Sequence, residues 1–190
     1  MAGLMPKLSP ELRQRARRVK LLIMDVDGTL TDGRIYYLPA GRQGAEPRFI
    51  ETKGFHARDG LGIRLAHEAG LKTGVISGRS SPIVEYRLKE LGISYVELNA
   101  LEKLEPYEHI LRSAEVSDPE VCYVGDDVVD LPVLKRAGLA VGVGDGHPAL
   151  RRHVHYWTRA HGGSGAVRET IELILAAQGK LRQVFQPFLR

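Results

Sequence analysis

Short apolar runs that end in polar residues alternate with helix-patterned stretches along most of this chain, and this alternation constrains its fold more than any other feature. VKLLIMDVDGT, KTGVIS, ISYVEL, EVCYVGDD and LAVGV are short and rich in β-branched residues, as strands buried on both faces are. Between them lie helical stretches at 60–69, 82–91, 103–115 and 128–137. Strand alternating with helix predicts an α/β fold, a Rossmann-like parallel sheet flanked by helices. Ligands of such sheets bind beyond the carboxyl ends of the strands, so the polar residues after each run are expected to converge there.

Three helix ends, HEAGLK, KELGIS and KRAGLA, place a glycine before an apolar residue. Gly70, Gly92 and Gly138 are expected to close their helices in the left-handed conformation, with Leu71, Ile93 and Leu139 packing back. Between Asp32 and Asp59 the alternation breaks. RIYY and RFIE read as two strands around a Gly- and Pro-rich loop, a β-hairpin projecting from the edge of the site. In GAVRETIELILAAQGK, Val167, Ile171, Leu173, Ile174 and Leu175 recur at helical spacing. The tail LRQVFQPFLR shows no helix continuation and reads either as a frayed terminus or, through Phe185 and Phe188, as a segment that docks on a neighbouring subunit.

The 190 residues suit one domain at 19–180, with a basic extension at 1–18 and a tail at 181–190. No apolar run approaches the roughly 20 residues that span a bilayer, so no membrane association is expected. The start lacks the apolar region of a secretory signal, which points to the cytoplasm. The single cysteine, Cys122, lies in the apolar VCYV and reads as a buried thiol. The net charge of +4 is modest, and Arg13, Arg15, Arg17, Arg18 and Lys20 read as a solvated helix face rather than a nucleic-acid site.

The chemistry-bearing residues follow the strands. Asp25 and Asp27 end the first run, and Gly28 and Thr29 begin a turn. VISGR places Ser77 and Arg79 after a later strand, LEKLEPY places Lys103 at a helix start, and YVGDDVVD places Asp126 and Asp127 after another strand, with Asp130 one turn on. An Asp-x-Asp strand end, a Ser, a Lys and a late acidic pair, in that order, resemble the haloacid dehalogenase superfamily. Response-regulator receivers use similar parts but take their acidic pair from the first strand.

The resemblance implies Asp25 as the nucleophile toward a phosphoryl group and Asp27 as proton donor. Ser77 and Lys103 would hold the transferring group, and Mg2+ would be bound by Asp25, the Asp27 backbone carbonyl and Asp126. An aspartate approaching a phosphate dianion meets about 4 kcal/mol of repulsion per charge pair at about 4 Å and an effective dielectric near 20. A hard cation and a lysine would reverse that balance. A carboxyl group crowded by Asp25, Asp126 and Asp127 suits holding a proton for the leaving alkoxide. Relatives that displace halide or store the phosphoenzyme lack an acid at the position of Asp27, so ester hydrolysis is expected. A phosphomutase is disfavoured because no room remains for a large cap domain.

From Val19 to about Lys180 the chain is similar to the 3-deoxy-D-manno-octulosonate 8-phosphate phosphatase family, through DVDGTLTDGRIYY, FHARDGLGIRLA, ISGRSSPIVEYRLKELGI, YVGDDVVDLPVLKRAGLAVGV and GGSGAVRE. That family implies a capless homotetramer acting in lipopolysaccharide synthesis. Its substrate contacts fall on Asp27, His56, Ala57, Arg58, Asp59, Gly60, Arg64, Arg79, Arg87, Lys103 and Asp127. Guanidinium forks suit a sugar carboxylate. The hairpin is longer than the family norm, His56 replaces an asparagine, and Ser164 replaces an arginine. A nine-carbon ulosonate 9-phosphate is the alternative substrate, and a non-catalytic module of the same fold the more distant alternative. His147, His153, His155 and His161 lack an evident carboxylate or cysteine partner and read as surface or interface residues rather than zinc ligands.

Overall fold

The apolar runs fold, in a computed structural model that describes residues 8–44 and 46–189, into one parallel sheet with helices on both faces. In chain order α1 (Pro10–Arg18) and β1 (Leu21–Met24) precede β2 (Tyr36–Gln43) and β3 (Glu46–Thr52). Then come α2 (Ala57–Glu68), β4 (Lys72–Ile76), α3 (Pro82–Glu90), β5 (Tyr95–Glu97) and α4 (Leu104–Ala114). β6 (Val121–Gly125), α5 (Leu131–Leu134), β7 (Leu139–Gly142), β8 (Tyr156–Trp157), α6 (Ala166–Ala177) and α7 (Leu181–Phe185) complete the order. The six-stranded sheet runs β5-β4-β1-β6-β7-β8.

β1 is buried along its whole length between β4 and β6. Successive strand side chains point to opposite faces. Leu22 and Met24 therefore join Ile63, Val84, Val167 and Ile171 in one core, while Leu21 and Ile23 join Tyr107, Ile110 and Val133 in the other. Each fully buried Leu or Ile contributes about 1.5–3 kcal/mol. The chain winds outward from β1 through β4 to β5, then returns to β6 and winds the other way. The reversal opens a crevice at the carboxyl end of β1.

Gly70 and Gly92 close α2 and α3 at φ 78° and 69°, and the amides of Leu71 and Ile93 donate back to Ala66 and Leu88 at 2.9 and 3.1 Å. Gly138 does not share this role. It is absent from the positive-φ glycines, and its amide donates to Asp118 O at 2.8 Å. A Cβ there would stand 2.5 Å from Pro119 O, so close backbone approach explains this glycine. The stretch 128–137 is likewise not one helix, because a tight turn at Val128–Asp130 precedes the single turn of α5.

The hairpin strands are longer than RIYY and RFIE. They pair from Tyr36↔Thr52 to Gln43↔Glu46, with a bulge between Pro39 and Arg42 that absorbs the Gly- and Pro-rich residues expected to form a loop. Within the basic segment Ala16 is buried, Arg17 Nε donates to Ala177 O at 3.0 Å, and α1 lies against α6; residues 1–7 lie outside the described residues. The tail also departs from expectation. It forms α7, which buries Val184, sets Phe185 beneath the Arg168 guanidinium and leaves Phe188 exposed. Arg190 lies outside the described residues.

Candidate active site

After β1 the backbone leaves the sheet in a tight turn through residues 26–30, with Gly28 at φ 85°. A Cβ at Gly28 would collide with the Asp126 carboxylate, so the glycine lets the first and last acidic motifs close on each other. Thr29 Oγ1 reaches Asp126 Oδ1 at 3.5 Å.

Lys103, buried at the start of α4, donates to Asp25 Oδ1 and Asp130 Oδ1, each at 2.7 Å. Burial works against its ammonium, but the two carboxylates outweigh that and raise its pKa. Asp130 is fully buried and accepts four hydrogen bonds, from Lys103 Nζ, Tyr123 Oη (2.7 Å) and the amides of Asp126 (3.0 Å) and Asp127 (3.2 Å). It therefore anchors the lysine and the acidic loop together. Asp130 had no expected role beyond its place one turn after the acidic pair; the available signal was the Asp-x-x-Asp spacing that reciprocally caps the turn at 128–130.

Asp25, Asp126 and Asp130 bring carboxylate oxygens within 4.8 Å of one another. Both Asp130 oxygens are engaged, whereas Asp25 Oδ2 has no hydrogen bond to Lys103. Burial, offset by Lys103 and reinforced by Asp130, raises Asp25 to about 6. Burial, with Asp25 and Asp130, raises Asp126 to about 8. A buried and a half-buried acid short of positive charge are the donor set a hard divalent cation takes, so the residues fit Mg2+.

Ser77, buried at the end of β4, accepts at Oγ from the Arg79 amide at 3.3 Å, which leaves its hydroxyl proton for an oxygen in the cavity. Asp25, Asp27, Ser77, Arg79, Lys103, Asp126 and Asp127 line one open cavity of about 210 Å3. A larger one of about 990 Å3 lies at the opposite ends of the strands, among Lys20, Leu71 and Glu120, away from this cluster.

Asp27 differs from expectation in its surroundings. Its Oδ1 accepts from Lys53 Nζ at 2.5 Å, so its nearest charged partner is a lysine and not another carboxylate. Lys53 was missed because its partner lies 26 residues earlier and no periodicity joins them.

Of the other expected contacts, His56, Ala57, Arg58, Asp59, Gly60, Arg64 and Arg87 do not line this cavity in the single chain. His56 caps α2 by accepting from the Arg58 amide at 3.1 Å. Asp59 turns inward instead: its buried carboxylate accepts from the amides of Gly165 (3.1 Å) and Arg168 (2.7 Å), so in the single chain it caps α6. Burial raises its pKa. Arg64 pairs with Glu68, and Arg87 lies over Phe55 and pairs with Glu90. His155 Nδ1 accepts from the Ala140 amide at 2.9 Å, and no histidine joins a metal-like group among the described residues.

A capless parallel sheet with an Asp-x-Asp turn, a buried lysine and a late acidic loop at its switch point defines a haloacid dehalogenase-like hydrolase, and the family model of that description matches residues 57–138. The 3-deoxy-D-manno-octulosonate 8-phosphate phosphatase KdsC of Yersinia pestis is 41% identical over 174 residues, covering 92% of this chain and 89% of the relative. The solved structure of such a phosphatase from Moraxella catarrhalis, in complex with magnesium ion, phosphate ion and KDO, superposes with a TM-score of 0.87 at 37% identity, covering 95% and 99% of the two chains. A probable YrbI family phosphatase from Pseudomonas syringae gives 0.88 at 41% identity, covering 96% and 99%. The chain belongs to the 3-deoxy-D-manno-octulosonate 8-phosphate phosphatase family.

Proposed function

We propose that this chain is a Mg2+-dependent phosphatase that hydrolyses 3-deoxy-D-manno-octulosonate 8-phosphate to the free sugar acid and inorganic phosphate. The observation that carries the reading is the buried Lys103, shared between Asp25 and Asp130 at 2.7 Å each, beside an Asp126 poised to take a cation. Mg2+ bound by Asp25, the Asp27 carbonyl and Asp126 would supply positive charge to the phosphoryl oxygens.

Asp25 attacks phosphorus with the carboxylate oxygen that Lys103 leaves free. The bond from phosphorus to the sugar oxygen breaks, its electron pair departs with that oxygen, and Asp27 delivers the proton that makes it a hydroxyl. Water then attacks phosphorus of the aspartyl-phosphate and loses a proton to Asp27. Phosphate departs and the Asp25 carboxylate is restored. Lys103 and the Ser77 hydroxyl hold the equatorial oxygens throughout.

The cavity is small and open, and most of the sugar-binding residues expected from the family lie outside its lining. That supports a homotetramer in which neighbouring copies complete the site. Exposed Tyr37 (59%), Phe49 (57%) and Ile50 (58%) on the projecting hairpin supply an apolar surface for such contacts. A cytoplasmic site of action belongs to the same proposal; among the described residues no helix is long and apolar enough to cross a membrane.

A panel of sugar phosphates assayed with Mg2+ tests the substrate. The octulosonate 8-phosphate should show the highest kcat/KM, above the nonulosonate 9-phosphate and simple hexose phosphates. Uniformly poor turnover would rule out a dedicated sugar-acid enzyme.

A further inference from the structure

The residue against Asp27 belongs to none of the four motifs. Lys53 directly follows β3, its side chain is 1% exposed, and its Nζ lies 2.5 Å from Asp27 Oδ1 and 3.6 Å from Glu51 Oε1. A lysine buried that deeply is stable only when its charge is matched. The second Glu51 oxygen accepts from Arg79 Nη2 at 2.9 Å. Glu51 and Lys53, two apart at the strand end, thus project to the same side. They form a line of alternating charge, Asp27–Lys53–Glu51–Arg79, that joins the turn after β1 to the loop after β4.

Lys53 does not line the cavity that Asp27 and Arg79 share, so it reaches the reacting atoms only through its partners. Asp27, with 25% of its side chain exposed, has one carboxylate oxygen pinned and the other left to exchange a proton with substrate. We propose that Lys53 is a positioning residue for protonation of the leaving group: its ammonium fixes the rotation of the Asp27 carboxylate, and Glu51 ties the same anchor to Arg79. This rests on Asp27 being the acid in the reaction proposed above.

The test compares two substrates of the Mg2+-loaded enzyme. The sugar alkoxide of the octulosonate 8-phosphate leaves poorly without a proton, whereas the phenolate of 4-nitrophenyl phosphate leaves unaided. Lys53→Met should lower kcat on the sugar phosphate by about 30-fold or more, leave KM within about threefold, and cost less than about threefold on the nitrophenyl ester. Asp27→Asn should show the same leaving-group dependence, and the double variant should be no slower than Asp27→Asn alone, since the two residues act through one carboxylate. Lys53→Gln keeps a donor of similar reach and should fall between wild type and Lys53→Met; if the methionine variant does not fold, the glutamine variant alone carries the comparison. Equal losses on both substrates, or a further loss in the double variant, with Asp27→Asn still selective, would overturn the role of Lys53 and leave Asp27 in place. An Asp27→Asn enzyme that slows both substrates alike would remove Asp27 as the acid, and the Lys53 proposal with it.

Discussion

Asp130 shows how much of the site depends on a residue that never meets solvent. Its two oxygens hold Lys103, Tyr123 and two amides of the acidic loop. Asp130→Ala would leave the buried Tyr123 hydroxyl and the two loop amides without this acceptor and Lys103 with Asp25 alone. A loss of about 3–5 kcal/mol is expected, read from urea unfolding; a change below about 1 kcal/mol would deny the anchor its importance. Asp25→Asn keeps the shape of the side chain and removes the charge proposed to attack phosphorus. Turnover should fall on the order of 10³-fold or more with an unchanged far-ultraviolet spectrum, and an active asparagine variant would exclude Asp25 as nucleophile. The convergence of Asp25, Asp27, Ser77, Lys103 and Asp126 on one cavity was legible because each lies just after a strand or at a helix start. Asp59 was not: the amides it caps lie 106 and 109 residues further along the chain, and only tertiary structure brings them to it.

Among the elements, the parallel strands were legible because burial on both faces leaves an unbroken apolar run. The hairpin was only half legible. Pro39 and Gly41 read as loop residues, yet a bulge places them within a paired ribbon. A two-stranded ribbon is marginally stable in water by itself, and this one exposes Tyr37, Leu38, Phe49 and Ile50. Phe49→Asp combined with Ile50→Asp should therefore shift the protein from a larger species to monomer in sedimentation velocity. It should also lower kcat/KM for the sugar phosphate more than for 4-nitrophenyl phosphate. Unchanged sedimentation would place the interface elsewhere. The tail was misread because α7 takes its stability from contact with the body, chiefly through Val184 and Phe185, and not from its own periodicity.

The whole molecule couples metal, protons and stability. Burial, with neighbouring carboxylates adding to it and Lys103 opposing, moves Asp25 from 3.8 to about 6 and Asp126 from 3.8 to about 8. Both groups hold protons more tightly in the folded chain than in the unfolded one. The metal-free protein should therefore be favoured by them below about pH 4 and lose that stability as pH rises toward about 8. A divalent cation substitutes for the lost protons, so Mg2+ should raise Tm more at pH 8 than at pH 5. Equal shifts at both pH values would detach the cation from these acids. The order of the parts has a further consequence for biosynthesis. Asp25 precedes its lysine by 78 residues, and Asp130 follows 27 later. A ribosome thus delivers the proposed nucleophile early, and its lysine and that lysine's anchor late, so no half-made chain carries the assembled cluster. Activity should return on refolding only when β6 docks beside β1.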